Sequence, residues 1–305
     1  MKEFKGAFTA LVTPMMDNGD VDYNGFRRLI NIQIEAGIDG LVPLGTTGET
    51  PTLDDSEEEK LIKIAVEENK GRVPLLIGAG SNSTRHMEGY VKRVRDLGAD
   101  AALVVTPYYN KPNDSGLIKH FEIAASVGLP IIVYNIAGRT GRNIPTPLME
   151  KIAAIPGIAG VKESSGDINQ IMEVIDRIAK PRKNTANPFW VLSGDDYITL
   201  PLLVLGGAGL ISVISNLVPQ KVKAMVSACL AGNFEEGRKL HYELLPLMKN
   251  AFIETNPVPL KTVMNWAGLP SGPVRLPLGP LAESNEQALR NVLAGLGIEC
   301  AAKSG

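Results

Sequence analysis

Lys162 sits in the stretch Ile158-Ala-Gly-Val-Lys-Glu-Ser-Ser165. The apolar run lies between a Pro156-Gly157 turn and polar Ser164-Ser165-Gly166, and reads as a short strand buried on both faces. A lysine at the carboxyl end of such a strand holds its amine where the interior meets the loops. Burial there disfavours the ammonium and favours the free amine, a nucleophile toward carbonyl carbon. The competing reading is a lysine that pairs with Glu163 or snorkels to water.

Other chemistry-bearing residues fall at comparable places. Gly45-Thr46-Thr47-Gly48-Glu49 sets two adjacent hydroxyls among glycines, a compact donor set for a small carboxylate, or else a tight turn into a helix. Thr106-Pro-Tyr-Tyr-Asn-Lys-Pro112 carries two phenols, Tyr108 and Tyr109, which packing or an interface would also explain. Tyr134-Asn135 leads into Gly138-Arg139-Thr140-Gly141. The phenol of Tyr134 can move protons, and Arg139 can grip a carboxylate through two parallel hydrogen bonds or form a surface ion pair. Ser193-Gly194-Asp195-Asp196 resembles a helix N-cap, and Gly209-Leu-Ile-Ser-Val-Ile-Ser-Asn216 closes the series.

Each set follows an apolar run. Runs at 7–12, 40–44, 74–77, 101–105, 130–134, 158–162, 189–192 and 210–214 alternate with amphipathic stretches at 24–36, from 56, 84–97, 116–126, 146–154, 168–179 and 197–205. Acidic Glu57-Glu58-Glu59 in the first turn of the second helix suits the positive end of its dipole. With the stretch at 221–230 as the eighth helix, eight such alternations over about 230 residues are the pattern of an α/β fold, the (β/α)₈ or TIM barrel. A doubly wound open sheet would fit the alternation too, but no G-x-G-x-x-G follows an early strand. Beyond about residue 219 only helices are expected, at 221–230, 234–252, 259–266 and 285–296. The expected organisation is a barrel over residues 1–232 and a C-terminal helical extension over 233–305. In a barrel the carboxyl ends of the strands build the active site, so the polar sets above converge on one face.

The chain has 305 residues, a formal net charge of −2, 44% hydrophobic and 21% charged residues, ordinary values for a globular protein. No run of one charge sign invites nucleic acid, and no apolar stretch is long enough to span a bilayer. Cys229 and Cys300 form no metal-spaced pair or disulfide framework, and His86, His120 and His241 are scattered. With no signal-peptide core, the expectation is a cytoplasmic protein without metal or cofactor. Lysine, phenols, hydroxyls and a guanidinium on one face suit Schiff-base chemistry on a small oxo acid.

In the order they occur, Gly45-Thr-Thr-Gly-Glu49, Thr106-Pro-Tyr-Tyr-Asn110, Tyr134-Asn135, Gly160-Val-Lys-Glu163, Ser193-Gly-Asp-Asp196 and the 209–216 run resemble the dihydrodipicolinate synthase and N-acetylneuraminate lyase family of pyruvate-dependent class I aldolases. The resemblance covers nearly the whole chain, from Gly6 to the Asn256-Pro-Val-Pro-Leu-Lys261 run. It implies that Lys162 is the Schiff-base lysine and Tyr134 the proton shuttle. It makes Thr46 and Tyr109 relay partners, with Tyr109 reaching in from a neighbouring subunit of a dimer or tetramer. Thr47 then binds the pyruvate carboxylate, and the backbones of Gly194 and Ile211 face substrate and lysine. Tyr134-Asn-Ile-Ala-Gly-Arg-Thr-Gly141 has the synthase form, with Arg139 on the carboxylate of L-aspartate 4-semialdehyde and Ala137 in place of the usual proline. The implied reaction joins pyruvate to that aldehyde and gives 4-hydroxy-tetrahydrodipicolinate, in the diaminopimelate and lysine pathway. Another pyruvate-dependent aldolase or a keto-deoxy-sugar-acid dehydratase on the same scaffold is the alternative, and a catalytically idle oxo-acid sensor is a second. Lysine-inhibited relatives carry His and Glu around an inter-subunit effector site. Here Asp55 and Glu58 stand at the histidine positions and His86 at the glutamate position, while Asn82 and Tyr108 are kept. Weak or absent inhibition by lysine is expected.

Overall fold

The computed structural model describes residues 2–300. Its eight strands are β1 (Gly6–Ala10), β2 (Gly40–Val42), β3 (Leu76–Gly78), β4 (Ala101–Val105), β5 (Ile131–Asn135), β6 (Ile158–Glu163), β7 (Trp190–Ser193) and β8 (Gly209–Ser212). All are parallel, in the order β2-β1-β8-β7-β6-β5-β4-β3. A parallel bridge between Leu41 and Leu75, with Leu41 N–H donating to Pro74 O at 3.0 Å, spans the remaining seam. The sheet is thus a nearly closed TIM barrel, and helices follow the strands around it. The expected strands and barrel helices are present, with ends moved by a few residues. One expected helix is interrupted: 168–179 is an α-helix over Ile168–Val174 followed by a π-helical turn over Ile175–Ala179.

Two layers of core follow from strand alternation. Phe8, Val42, Leu76, Leu103, Ile132, Leu192 and Ile211 fill the barrel interior. Ile131, Val133, Val161 and Val191 point outward and pack with residues such as Leu29, Phe121 and Ile171 beneath the helices. On β5 the inward set is Ile132 and Tyr134, which places the Tyr134 side chain inside the barrel.

Between β5 and β6 the register shifts: Ile131 faces Ile158, but Ile132 faces Gly160, so β6 carries one extra residue. Ile158 packs outward and Ala159 inward, and after the irregularity Val161 is again outward. A bulge of this kind resets the alternation. Without it, Lys162 would share the outward face of Ile158. With it, Lys162 lies opposite Tyr134 in the ladder, on the inside. Gly160 is required there, because a Cβ would sit 2.3 Å from the Trp190 carbonyl oxygen.

After β8 the helix Pro219–Leu230 completes the outer ring, and Phe234–Asn250, Val258–Trp266 and Glu283–Gly295 follow. Phe234–Asn250 packs along Pro219–Leu230 and against Glu283–Gly295. Among the described residues no helix is long and apolar enough to cross a membrane. Residues 1 and 301–305 of the expected barrel and extension lie outside the described residues.

Candidate active site

Lys162 is 6% exposed at the carboxyl end of β6, and its Nζ lies 4.2 Å from the centroid of the Tyr134 ring. Among the described residues it has no carboxylate partner. Glu163, one residue on and therefore on the opposite face, does not pair with it. Its carboxylate accepts from Asn135 Nδ2 at 3.1 and 3.2 Å, Ser165 N–H at 2.8 Å and Gln170 Nε2 at 3.3 Å. Burial pushes the Glu163 carboxyl above its ordinary value, and these donors oppose that shift. Asn135 also accepts from Ile144 N–H at 3.1 Å, so the network fixes both ends of the 136–143 loop.

That loop opens with a single helical turn, Ala137–Thr140, on which Arg139 is exposed at the rim. Arg139 Nη2 donates to the Asn256 carbonyl at 3.3 Å. Gly194 forms the wall on the other side of Lys162. A Cβ on Gly194 would lie 2.8 Å from Lys162 Cε and 2.0 Å from Ser164 Oγ. Ser164 Oγ itself is buried without a hydrogen-bond partner among the described residues.

The hydroxyl pair lies on the turn Thr46–Gly48, bracketed by Leu44 and Glu49, both at φ 56°. Such left-handed conformations in side-chain-bearing residues are strained and need support. Thr13 Oγ1 donates to Gly48 O at 2.7 Å, and Thr50 Oγ1 donates to Gly45 O at 3.0 Å. Thr47 is buried, and its Oγ1 accepts from Asn256 Nδ2 at 3.0 Å; Thr46 is half-buried. Ile211 is fully buried in the interior cluster with Tyr134.

The four-residue set at β7 does two jobs. Asp195 caps a short turn by accepting from Tyr197 N–H at 2.9 Å, as its N-cap appearance suggested. Asp196 turns inward, fully buried, and accepts from Ser212 Oγ at 2.5 Å and Val213 N–H at 2.8 Å. It thereby anchors the end of β8 beside Ile211. Burial pushes its carboxyl up to about 6, against the pull of those donors.

Lys162 therefore lies beside both Tyr134 and Gly194, while Thr47 and Arg139 are joined through Asn256. Tyr109 is not brought to this cluster. It is 90% exposed, at φ 72° on the β4 loop. The residue pattern offered Glu163 only as a partner of Lys162 and Asp196 only as part of an N-cap set, and it gave Asn256 no role at the site. Asn256 lies in a proline-interrupted stretch far along the chain, and no periodicity marks it.

At the effector positions, Arg93 Nη1 donates to Asp55 Oδ1 at 2.9 Å and its other terminal nitrogen contacts Glu58. Burial raises the Glu58 carboxyl, which the guanidinium opposes.

The family model described as the dihydrodipicolinate synthetase family matches residues 3–295. A 4-hydroxy-tetrahydrodipicolinate synthase of Protochlamydia amoebophila is 49% identical over 290 residues, covering 95% of each chain. A solved dihydrodipicolinate synthase from Thermotoga maritima is 41% identical, with a TM-score of 0.93, covering 97% of this chain and all of that one. A chloride-inhibited dihydrodipicolinate synthase from Acinetobacter baumannii, complexed with pyruvate, is 37% identical with a TM-score of 0.92, covering 97% of this chain and 100% of that one.

Proposed function

The chain belongs to the dihydrodipicolinate synthetase family, and from that premise we propose that it condenses pyruvate with L-aspartate 4-semialdehyde through a Schiff base on Lys162. The product is 4-hydroxy-tetrahydrodipicolinate, and the activity is that of the curated relatives, a lyase of diaminopimelate and lysine synthesis. The observation that carries the assignment of the nucleophile is the Lys162 amine itself: buried at a barrel rim, over the Tyr134 ring, without an ion pair among the described residues.

The unprotonated amine adds to the ketone carbon of pyruvate, and loss of water leaves an iminium. The cation acidifies the methyl group, whose proton leaves to give an enamine. Tyr134, opposite Lys162 in the ladder, is placed to carry protons during these steps, with Thr46 as its relay. Thr47 binds the pyruvate carboxylate. The enamine carbon then adds to the aldehyde carbon, and the resulting alkoxide takes a proton. Arg139 holds the aldehyde substrate by its carboxylate. Finally the substrate's own amine adds to the iminium carbon and expels the Lys162 amine, closing a six-membered ring and freeing the enzyme. The backbones of Gly194 and Ile211 line the space through which substrate approaches. Tyr109 is exposed on the β4 loop, which fits a phenol delivered to a second copy in a dimer or tetramer. The division at residue 232 separates barrel from extension along the sequence only, since Asn256 returns to the site. The proposed compartment is the cytoplasm.

Incubation with pyruvate and borohydride tests the reading: a pyruvate-derived mass increase is expected on Lys162 and is absent from Lys162→Ala. Arg139→Ala should retain that adduct yet lose at least about 100-fold in kcat/KM for the carboxylated aldehyde, the scale of a lost charged contact. Full turnover of that aldehyde by the variant would reject its role.

A further inference from the structure

The side chain of Asn256 has no part in the reaction as derived above, yet it is built into the site. It is 4% exposed, its Nδ2 donates to Thr47 Oγ1 at 3.0 Å, and its Oδ1 is buried without a hydrogen-bond partner among the described residues. Its backbone carbonyl separately receives Arg139. Five residues on, Lys261 fixes the segment: Nζ donates to Glu49 Oε1 at 2.6 Å, Thr13 O at 3.0 Å and Pro273 O at 2.6 Å. Glu49 Oε2 in turn accepts from Arg275 N–H at 2.8 Å. The extension is thus registered on the very loop that carries Thr47.

A hydroxyl has one proton to give and two lone pairs to receive with. Thr47, already receiving from Asn256, keeps its proton for another partner, and among the described residues no acceptor takes it. We infer that Asn256 is a positioning residue for the keto-acid carboxylate, its side-chain amide turning Thr47 into a donor aimed at that anion. The inference rests on Lys162 being the Schiff-base lysine. Side chain and main chain of Asn256 serve different substrates: the amide acts on the pyruvate end, while the carbonyl that holds Arg139 survives any substitution of the side chain. An aspartate at this position would be nearly isosteric but acceptor-only. It would draw the Thr47 proton to itself and repel the incoming carboxylate.

The test is two-substrate kinetics on Asn256→Ala, Asn256→Asp, Asn256→Ser, Thr47→Val and the Thr47→Val/Asn256→Ala double variant, with borohydride trapping in parallel. Asn256→Ala should raise the KM for pyruvate about tenfold, the scale of one hydrogen bond to a charged group. Asn256→Asp should raise it further and Asn256→Ser should recover part of the loss. The KM for the aldehyde should stay within about twofold throughout, and Asn256→Ala should add nothing in the Thr47→Val background. A pyruvate KM unchanged in both Asn256→Ala and Asn256→Asp, equal rises for both substrates, or additive effects in the double variant would each overturn the inference. Should Asn256→Asp not fold, the Thr47–Asn256 cycle decides alone. Wild-type protein that forms no trapped adduct would instead sink the Schiff-base reading, a result distinct from an adduct whose pyruvate dependence ignores Asn256.

Discussion

At the scale of single residues, the environment of Lys162 is set by what its neighbours lack. Gly194→Ala places a methyl 2.8 Å from Lys162 Cε and closer still to Ser164 Oγ. Both side chains must shift, and displacements near 1 Å at a reacting group cost about 100-fold. That loss in kcat is expected, with borohydride adduct yield falling in step and stability falling by about 1–3 kcal/mol. Asp196 gives a pH signature. Burial holds its folded value at about 6, above the ordinary aspartate value of 3.8, so its contribution to stability is complete below about pH 4 and is lost as pH rises through 6. Asp196→Asn removes this titration. Its denaturation midpoint should therefore change less than wild type's between pH 4.5 and 7.5, as urea titrations at the two pH values would read. Lys162, Tyr134 and the Thr46-Thr47 pair could be picked out as candidates because their types are unusual at strand ends. Asn256 was not: an asparagine before a proline looks like any turn until the fold carries it back across about 200 residues to Thr47.

Among the elements, the telling one is β6. Counting alternate residues from outward-packed Ile158 puts Lys162 outside the barrel, on the wrong face. The extra residue in β6 corrects the phase. The strand itself was visible from its apolar run, but a bulge depends on the neighbouring strand and leaves no trace in hydrophobic pattern. Gly160→Ala should therefore act at a distance from the chemistry. With a Cβ at 2.3 Å from the Trp190 carbonyl, the bulge cannot persist unaltered. The variant should lose at least about 100-fold in kcat, and its hydrogen exchange should rise specifically along β6 and β7. Loss of activity with unchanged exchange there would refute the link. Helix boundaries were read from apolar periodicity to within a few residues, and the structure shows side-chain caps at Asp54, Ser83, Asn113 and Asn233. The π-helical turn at Ile175–Ala179 had no such mark.

For the whole molecule, the alternation of eight runs announced the barrel, and with it the face on which chemistry was expected, since the topology leaves little choice once strands and helices alternate. How chains meet was not written in one chain. Tyr109, exposed and in a left-handed conformation, makes a specific expectation. Lys162→Arg and Tyr109→Phe are each expected to be nearly inactive alone. Mixed and reassociated, they should regain activity, because a Tyr109→Phe subunit keeps its lysine and borrows the phenol of its Lys162→Arg partner. No recovery on mixing would place Tyr109 in its own subunit's site. Free lysine is the second test at this scale. Asp55 and Glu58 are both engaged by Arg93, so a guanidinium already occupies the acidic corner that an ammonium would seek. Inhibition should stay far from complete at millimolar lysine, and a steep, complete curve below that would contradict it.

The clasp of Glu49 by Lys261 has a temporal side. Synthesis delivers the amine at position 162 about a hundred residues before the segment that steadies the acid-binding loop, and chains begin to fold from the amino-terminal end as they emerge. A growing polypeptide therefore carries Lys162 before the contacts of Lys261 with Glu49 and Thr13 can form. Chains ended before residue 256 are expected to trap less pyruvate with borohydride than the full-length protein.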